Sequence, residues 1–331
     1  MKRLIFISGV VISLLLITGL RQEISGKDKT LSVRSIEFTE NINVPVPKGS
    51  KNVQIWIPMP ATDFFQRTEL LTVKSSCSYR LVKDENFGNQ LLYFERKSRV
   101  KESNIDIKVV YKIIRTEQSE IYPNHDTTTT QTSFLVSSYL QPRGLEIINE
   151  KIKIISEETT KGMNDPLQKA KALYEYVLKH MRYDKSGTGW GRGDSVYACD
   201  IGKGNCTDFH SLFITLARAS QIPARFQMGI PLPKEVQGRP SGAYHCWAEF
   251  YIEGKGWIPV DISEAWKQPD KTDYYFGAVD ENRILISTGR EIGLPYQKGS
   301  ALNYLDRAYA EADGKPLENI QIKRSYKNQK G

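Results

Sequence analysis

Apolar and polar residues alternate along the first third of the chain, which is the pattern of β-strands that bury one face. The clearest run extends from Ile105 to Ile113, where every second residue is Ile, Val or Tyr. Clusters of Pro, Gly, Asn and Asp separate shorter runs of the same kind, and this spacing predicts a β-sandwich domain over residues 30–120. The shorter runs are Val33–Phe38, Val53–Ile57, Leu70–Val73, Tyr79–Val82 and Leu91–Phe94.

The pattern changes to a helical period in the second half of the chain, after a polar linker or long loop at residues 124–132. One helix is predicted over residues 145–158, and a second begins at the cap-and-proline pair Asp165-Pro166. In a third, apolar residues from Phe209 to Ala217 recur at helical spacing until Pro223 must end the helix. Cys206 then lies in the first turn of the third helix.

A cysteine in the first turn of a helix has a reason to be reactive. Unpaired backbone N–H groups and the helix dipole favour negative charge there, which lowers the pKa of a thiol and increases the thiolate fraction. The same N–H groups can hold a developing oxyanion. The alternative is that Cys206 is an ordinary buried cysteine, the commonest state of this residue type. The residues downstream decide between the two interpretations.

A β-hairpin is predicted downstream, because aromatic and β-branched residues flank a glycine-rich turn at residues 254–256. His245 is early in its first strand, and Asp261 is late in its second. A pairing centred on position 253 would place these two side chains opposite each other on one face. A strict three-residue turn would leave them out of register, so a bulge or strong twist is required, for which Pro259 is the candidate.

Cys206, His245 and Asp261 thus supply a thiol, a base and an orienting carboxylate in the order of papain-like acyl transfer. In this chemistry the sulfur attacks a carbonyl, and the imidazole takes and returns protons. The carboxylate fixes the imidazole tautomer and stabilises its cation. The three residues together predict a catalytic triad.

The segments that carry these residues resemble a known family. The sequences GNCTDFHSLF, IPAR, YHCWAEFY and GWIPVDISEA occur in this order and resemble the transglutaminase-like superfamily, specifically its bacterial secreted members, over roughly residues 145–310. The resemblance implies an α+β fold, with a papain-like catalytic domain at residues 140–310 preceded by the β-sandwich. Carried over by position, the family's nucleophile, base and acid fall on Cys206, His245 and Asp261. No metal or cofactor is expected.

The first residues of the chain have a different character. Lys2 and Arg3 precede a largely apolar run from Leu4 to Leu20, as in the n-region and h-region of an export signal. Because about 20 residues are needed to span a bilayer, residues 1–25 are predicted to be a signal peptide or an N-terminal membrane anchor. The protein is therefore expected to be exported, and to be periplasmic, extracellular or anchored in a membrane.

Charge bears on the expected partners. The 331 residues carry a formal net charge of +8, and residues 311–331 are predicted to be a basic polar tail. For an exported protein, an anionic envelope surface is a more natural partner than nucleic acid. The expected partner is a protein or peptide substrate, with a cell-envelope polymer as a further candidate.

The remaining cysteines and histidines leave several alternatives. Cys206 must stay free for catalysis, Cys246 is predicted to pack in the core, and Cys199 is predicted to react, to pair with an oxidised Cys206 or to pack. A zinc site formed by Cys199, Cys206 and His245 would lack paired ligand spacing. His210, four residues after Cys206, is a rival base, but no matching motif supplies its carboxylate partner.

Three further residues border the predicted site. Trp190, in a glycine-rich loop, is predicted either to flank the acyl site or to anchor the loop. Glu264 is predicted either to steer His245 or cationic substrates or to form a surface salt bridge. Arg283 is interpreted as a buried arginine paired with Asp261 or Glu264.

Two functions compete on this sequence. The first is a thiol enzyme that forms a thioester from an amide and passes the acyl group to water or to an amine. The second is a non-catalytic exported binding module on the same fold, which would not need a complete triad. The acyl acceptor stays open, so peptidase, amidase and transglutaminase all remain. No EF-hand pattern occurs that would indicate calcium activation.

Overall fold

The computed structural model of the chain describes residues 31–97, 103–119 and 136–329. The predicted signal segment 1–25 and the predicted linker 124–132 lie outside the described residues. Strands occur in both the first third and the last third of this part of the chain. They are β1 (Val33–Pro45), β2 (Val53–Pro58), β3 (Gln66–Ser75), β4 (Tyr79–Lys83), β5 (Gln90–Arg96), β6 (Asn104–Thr116), β7 (Gln118–Ser119), β8 (Arg182–Tyr183), β9 (Lys203–Gly204), β10 (Ala224–Pro231), β11 (Gln237–Gly238), β12 (His245–Ile252), β13 (Gly256–Val260), β14 (Ala278–Val279), β15 (Arg283–Thr288), β16 (Tyr309–Ala312), β17 (Lys315–Pro316) and β18 (Gln321–Asn328).

The main helices all lie between β7 and β14. They are α1 (Glu150–Thr159), α2 (Pro166–His180), α3 (Ser195–Ile201), α4 (Cys206–Ala219) and α5 (Ile262–Lys267), followed by a 3-10 turn at Pro269–Lys271. The first helix begins later than predicted, because the side chain of Asn149 accepts the N–H of Ile152 and caps the helix there. Across the described residues, no helix combines the length and the apolar character that a membrane crossing requires.

The predicted β-sandwich is confirmed as two five-stranded antiparallel sheets. Their strand orders are β11-β18-β1-β6-β3 and β17-β16-β2-β5-β4. The long strands β1 and β6 are paired along their whole length, with Phe38 opposite Tyr111. Both side chains are buried and share one hydrophobic core with Ile55 and Phe94 of the second sheet. The alternating apolar residues therefore fill the space between the two sheets.

The C-terminal residues do not form the predicted basic polar tail. Instead, β16 pairs with β2, and β18 pairs with β1 from Ile36–Asn328 to Asn43–Gln321. Within β18, Tyr326 alone is deeply buried, so the strand lacks the apolar alternation that reveals the other strands. Backbone hydrogen bonds to β1 hold it in place, and these leave no signal in the residue types. The sandwich is thus completed by residues from the far end of the described chain.

A third large sheet supports the helical region. Its four antiparallel strands have the order β13-β12-β10-β15, and α4 packs against β12. Every residue of α4 from Cys206 to Arg218 is buried, because the other helices surround the face that the sheet leaves open. The predicted apolar face, which includes Phe209 and Phe213, lies in one core with Phe226 and Phe250 of the sheet. The helix that carries Cys206 is therefore the centre of this half of the protein.

The predicted hairpin forms, but its register differs from the prediction. Strands β12 and β13 pair with Ala248 opposite Val260 and Ile252 opposite Gly256, a register centred on position 254. The pairing shows no shift at Pro259, so the predicted bulge is absent from this described hairpin. Asp261 follows the end of β13 and is the N-cap of α5. The chain's turn from strand to helix, rather than a bulge, brings the carboxylate to His245.

We predict that the C-terminal strand is required for stability. Tyr326→Ala should lower the free energy of unfolding by about 3 kcal/mol, because it removes a buried aromatic ring from the sandwich core. Ser325→Ala, its exposed neighbour, should change this free energy by less than about 0.5 kcal/mol. Denaturant titration measures both values. Equal stabilities for the two variants would show that the segment behaves as a tail.

Candidate active site

Cys206 is the first residue of α4, as predicted. Asn205 is the N-cap, and its side chain accepts the N–H of Thr207 at 2.9 Å. In return, the backbone N–H of Asn205 donates to the carboxylate of Asp208 at 2.9 Å, which completes a capping box. The side chain of Cys206 is only 3% exposed. The sulfur therefore lies at the positive end of a well-capped helix.

Asp208 also holds the glycine-rich loop against the start of α4. Its carboxylate accepts the backbone N–H groups of Gly191 at 2.6 Å and Gly193 at 3.0 Å. A Cβ atom at position 204 would lie 2.2 Å from Asp208 Oδ2, so only glycine fits at Gly204. A single buried carboxylate thus fixes the loop, the helix cap and the segment before the nucleophile candidate.

The structure brings His245 and Asp261 together. His245 Nε2 lies 2.7 Å from Asp261 Oδ2, and both side chains are buried. Because Nε2 is engaged by the carboxylate, Nδ1 is the nitrogen left for Cys206, whose pKa the imidazole lowers. The three residues predicted as a triad therefore form one connected set.

Asp261 is held by several further groups. Its Oδ1 accepts the hydroxyl of Ser263 at 3.1 Å and the backbone N–H of Glu264 at 3.0 Å, the latter as the N-cap of α5. Its Oδ2 accepts the guanidinium of Arg283 in a short ion pair. The side chain of Asp261 is fully buried. Arg283 is thus the buried partner of Asp261 that the sequence suggested.

The electrostatics favour an ion pair between sulfur and imidazole. Burial alone lowers the pKa of His245, but the Asp261 carboxylate outweighs it and raises that pKa to about 9. Hydrogen bonds from the Cys246 side chain and from His245 lower the pKa of Cys206 well below that of an ordinary thiol. Burial raises the pKa of Asp261, but His245 and Arg283 reverse this and lower it. These directions favour thiolate, imidazolium and carboxylate over the neutral thiol and imidazole at neutral pH.

Cys246 has a more specific place than general core packing. Its Sγ lies 3.7 Å from Thr207 Oγ1 and 3.8 Å from His210 Nδ1, both on the first turns of α4. It also lowers the pKa of the neighbouring Cys206 thiol. Burial and the adjacent Cys206 sulfur raise the pKa of Cys246 well above its usual value. Of the two thiols, these directions favour Cys246 as the one that keeps its proton.

His210 is not suited to act as the base. Its Nε2 accepts the backbone N–H of Ile262 at 3.0 Å, so this nitrogen carries no proton. A carboxylate is close after all, since Asp261 Oδ1 lies 3.6 Å from the same nitrogen. Burial nevertheless lowers the pKa of His210 to about 4 and keeps the ring neutral. His210 thus links α4 to the start of α5 as a structural residue.

The other sequence candidates contribute less. Trp190 donates its indole N–H to Gly187 at 3.2 Å, within its own loop. Glu264 forms a salt bridge with Lys267 at 2.8 Å. Cys199 is buried, burial raises its pKa, and all four cysteines are free. In the described ranges, no group of three or more His, Cys, Asp or Glu side chains is arranged to hold a metal ion.

Two residues of the site escape the sequence-based reasoning. Asp208 could have been found, because an acidic residue three positions after an Asn cap is the pattern of a capping box. Cys246 could not, because neighbours in a strand are expected on opposite faces. His245 is the first residue of β12, so the end of the strand, rather than one of its faces, meets Cys206. Both neighbours can therefore reach the same sulfur.

Comparison with known proteins agrees with this geometry. Residues 153–262 match the model of the transglutaminase-like superfamily, a range that contains Cys206, His245 and Asp261. A protein of Haemophilus influenzae, described as an uncharacterized protein, is 27% identical over 328 residues, which cover 87% of this chain and 88% of that protein. Residues 153–262 of the chain are therefore similar to the transglutaminase-like superfamily.

One solved structure shows the same fold. The crystal structure named "Putative Cysteine Protease from Cytophaga hutchinsonii" superposes with a TM-score of 0.57 at 13% identity, covering 90% of this chain and 98% of that one. The periplasmic domain of TgpA from Pseudomonas aeruginosa has a TM-score of 0.38 at 15% identity, covering 76% of this chain and 93% of that one. The family match and the Cytophaga hutchinsonii structure show that the fold is α+β, with a papain-like transglutaminase-like domain and a β-sandwich.

We predict that iodoacetamide alkylates Cys206 before the other cysteines. At pH 7 Cys206 should react faster than Cys77, although Cys77 is more exposed, because the thiolate is the nucleophile. Cys199 and Cys246 should react last. Peptide mass spectrometry of the folded protein measures the four rates, and faster labelling of Cys77 would contradict a thiolate at position 206.

Replacing Cys246 should change the pH dependence of this alkylation. In Cys246→Ala, the sulfur of Cys206 loses its largest stabilising hydrogen bond, so the pH at which alkylation becomes fast should rise. Cys199→Ala, which also removes a buried thiol, is the matched control and should leave that pH unchanged. If both variants give the wild-type profile, Cys246 has no influence on the nucleophile.

Proposed function

We propose that this protein is a thiol enzyme that cleaves or transfers acyl groups at amide bonds, through a Cys206–His245–Asp261 triad and a thioester intermediate. The observation that carries the proposal is the connected set of charges: a thiolate at a helix N-terminus, an imidazole paired with it, and a buried carboxylate 2.7 Å from the imidazole. A buried, ready-made ion pair of this kind is the usual preparation of a thiol nucleophile.

In the first half-reaction, the Cys206 thiolate attacks the carbonyl carbon of an amide and forms the S–C bond. The carbonyl oxygen becomes an oxyanion, and the N–H of Cys206, which has no acceptor recorded among the described residues, is positioned to bind it. The C–N bond then breaks. The imidazolium of His245 gives its Nδ1 proton to the leaving nitrogen, which departs as ammonia or an amine.

In the second half-reaction, the neutral imidazole of His245 takes a proton from water or from an acceptor amine. The oxygen or nitrogen of the acceptor attacks the thioester carbon, and the S–C bond breaks to regenerate the thiolate. Asp261 stays ionised throughout and keeps the imidazole oriented, while Arg283 balances its buried charge. The product is an acid when water accepts and a new amide when an amine accepts.

A non-catalytic binding module on the same fold is the second candidate. Cys206 and His245 are only 3% and 6% exposed, which would leave little of either for a binding surface. A binding module would also gain nothing from an imidazole whose pKa is raised to about 9 beside a thiol whose pKa is lowered. The charges therefore favour the enzyme.

The substrate and location are also proposals. Lys2, Arg3 and the apolar run that follows support export, and the net charge of +8 supports residence near an anionic envelope. The proposed substrates are glutamine side chains or peptide bonds of exported proteins or of an envelope polymer. Hydrolysis and amine transfer remain equal candidates, because both use the same triad.

Activity profiling tests this proposal. The full-length protein is incubated with glutamine-containing peptides and dipeptide libraries, with and without a primary amine, and hydrolysis is compared with amine incorporation. A covalent acyl adduct on Cys206 should be detected by intact mass after an acid quench, and it should be lost in Cys206→Ala but kept in Cys77→Ala. Wild-type turnover by Cys206→Ala would refute the proposed nucleophile.

We further predict that Asp261→Asn lowers kcat by about 10² to 10⁴, because the imidazole loses its orienting charge.

The same change, Asp261→Asn, should move the alkaline limb of the kcat/KM profile from about pH 9 to lower pH, since the carboxylate is what raises the pKa of His245. Arg283→Met should move the limb upward, because Arg283 acts on that pKa in the opposite direction. Exposed Asp273→Asn is the control. Identical limbs in all variants would exclude this role for Asp261.

A further inference from the structure

A row of lysines crosses the outer face of the first sandwich sheet. Lys74 on β3 is directly opposite Lys108 on β6, and Lys108 is opposite Asn41 on β1. Asn41 is in turn opposite Lys323 on β18. The three lysines are exposed, and none of them has an ion-pair partner anywhere in the part of the chain that the structure describes. The row exists only because β18 joins this sheet.

The stability of the sheet does not explain this row. Like charges directly opposite each other on neighbouring strands destabilise a sheet, and Lys74 and Lys108 form such a pair. The adjacent row supplies a single carboxylate, Asp106, which accepts the side-chain N–H of Asn43 at 2.7 Å. Elsewhere on the same sheet, Glu37 lies between Lys112 and Lys327 and balances them. The unbalanced row therefore points to an anionic ligand.

The row lies in a groove made of two hollows, the second of which is lined by the segment that precedes His245. Lys74, Lys108 and Lys323 line a hollow of about 800 Å³ on the sheet. Lys323 also lines a second hollow of about 440 Å³, together with Arg239 and Ala243. The two hollows therefore meet at Lys323. Ala243 is only two residues before His245, so the second hollow ends beside the start of β12.

Hydrogen bonds hold the segment that lies between the groove and the candidate active site. Arg324 donates to the backbone carbonyl of Ala243 at 2.8 Å and forms an ion pair with Glu40 at 2.8 Å. The hydroxyl of Tyr244, the residue after Ala243, accepts the side-chain N–H of Asn205 at 2.9 Å. One short segment thus connects the groove to the cap of the helix that carries Cys206.

We propose that this groove, formed by Lys74, Lys108, Lys323 and Arg239, is an exosite that binds an acidic polypeptide segment of the substrate. The proposal rests on the function proposed above and names a substrate class for it. Three strand spacings of about 4.8 Å make the lysine row roughly 14 Å long, which matches about four residues of extended chain. A segment with several Asp or Glu residues would neutralise the row while its neighbouring residues reach Cys206.

The lining of the groove favours a polypeptide over an anionic polysaccharide. The two hollows have no aromatic side chain among their described lining residues, whereas sugar-binding grooves commonly stack aromatic rings on sugar faces. Side chains that can pair with a peptide backbone are present instead, including Asn41, Ser75 and Gln321. Hydrogen bonds from these groups would add to the charge complementarity.

Binding of a fluorescein-labelled peptide with six consecutive glutamates tests the exosite. Fluorescence anisotropy with full-length Cys206→Ala protein at low salt should show saturable binding, and Lys108→Gln/Lys323→Gln should weaken it roughly threefold to tenfold. The matched control is Lys112→Gln/Lys327→Gln, which removes one lysine from β6 and one from β18 but outside the row. The control should change the Kd less than twofold. Equal weakening by both pairs, or no binding by the starting protein, would overturn the proposal.

Competition and turnover distinguish the remaining outcomes. A tighter Kd for polygalacturonate than for the glutamate peptide would overturn the choice of a polypeptide.

In turnover, a glutamine peptide with an acidic tail should have a higher kcat/KM than the same peptide with a neutral tail, and Lys108→Gln/Lys323→Gln should abolish the difference. Turnover without this preference refutes the exosite and leaves the proposed function intact. Specific binding without turnover of any peptide supports the exosite and counts against the function.

Discussion

The structure around the candidate site depends on one buried carboxylate, Asp261. Its two oxygens bind the His245 imidazole, the Arg283 guanidinium and the backbone N–H of Glu264 in α5. A carboxylate in the protein interior is costly unless charged and polar partners surround it, and here they do. The same contacts fix the imidazole, raise its pKa and join the end of β13 to α5. The charge on Cys206 is stabilised at the end of this chain of interactions.

Much of this site could be predicted from the sequence, because its parts lie in local patterns. The helical spacing after Cys206 and the strand pattern after His245 are short-range signals, and both elements form as predicted. The contact between His245 and Asp261 was also expected, but for the wrong reason. It arises where a strand turns into a helix capped by Asp261, and the register of a hairpin does not reveal such a turn.

The features that the sequence did not reveal depend on contacts distant along the chain. Strand β18 joins β1 across nearly the whole chain, and its own residues are mostly polar, so no apolar pattern marks it in the sequence. Cys246 reaches Cys206 only because a strand happens to begin at the tip of a helix. In both cases tertiary placement, rather than residue type, decides the role of the residue. The lysine row is visible only after that placement is known.

Direct titration of the histidines is the sharpest test of the central claim, that Asp261 holds an imidazolium beside a thiolate at neutral pH. NMR of protein with ¹⁵N-labelled histidine follows each ring, and His210, whose pKa is lowered to about 4, is an internal reference that stays neutral. The account predicts that His245 remains protonated at pH 7.5 and loses its proton near pH 9. A His245 ring that is neutral at pH 7.5, in a folded protein with Cys206 and Asp261 intact, would contradict it.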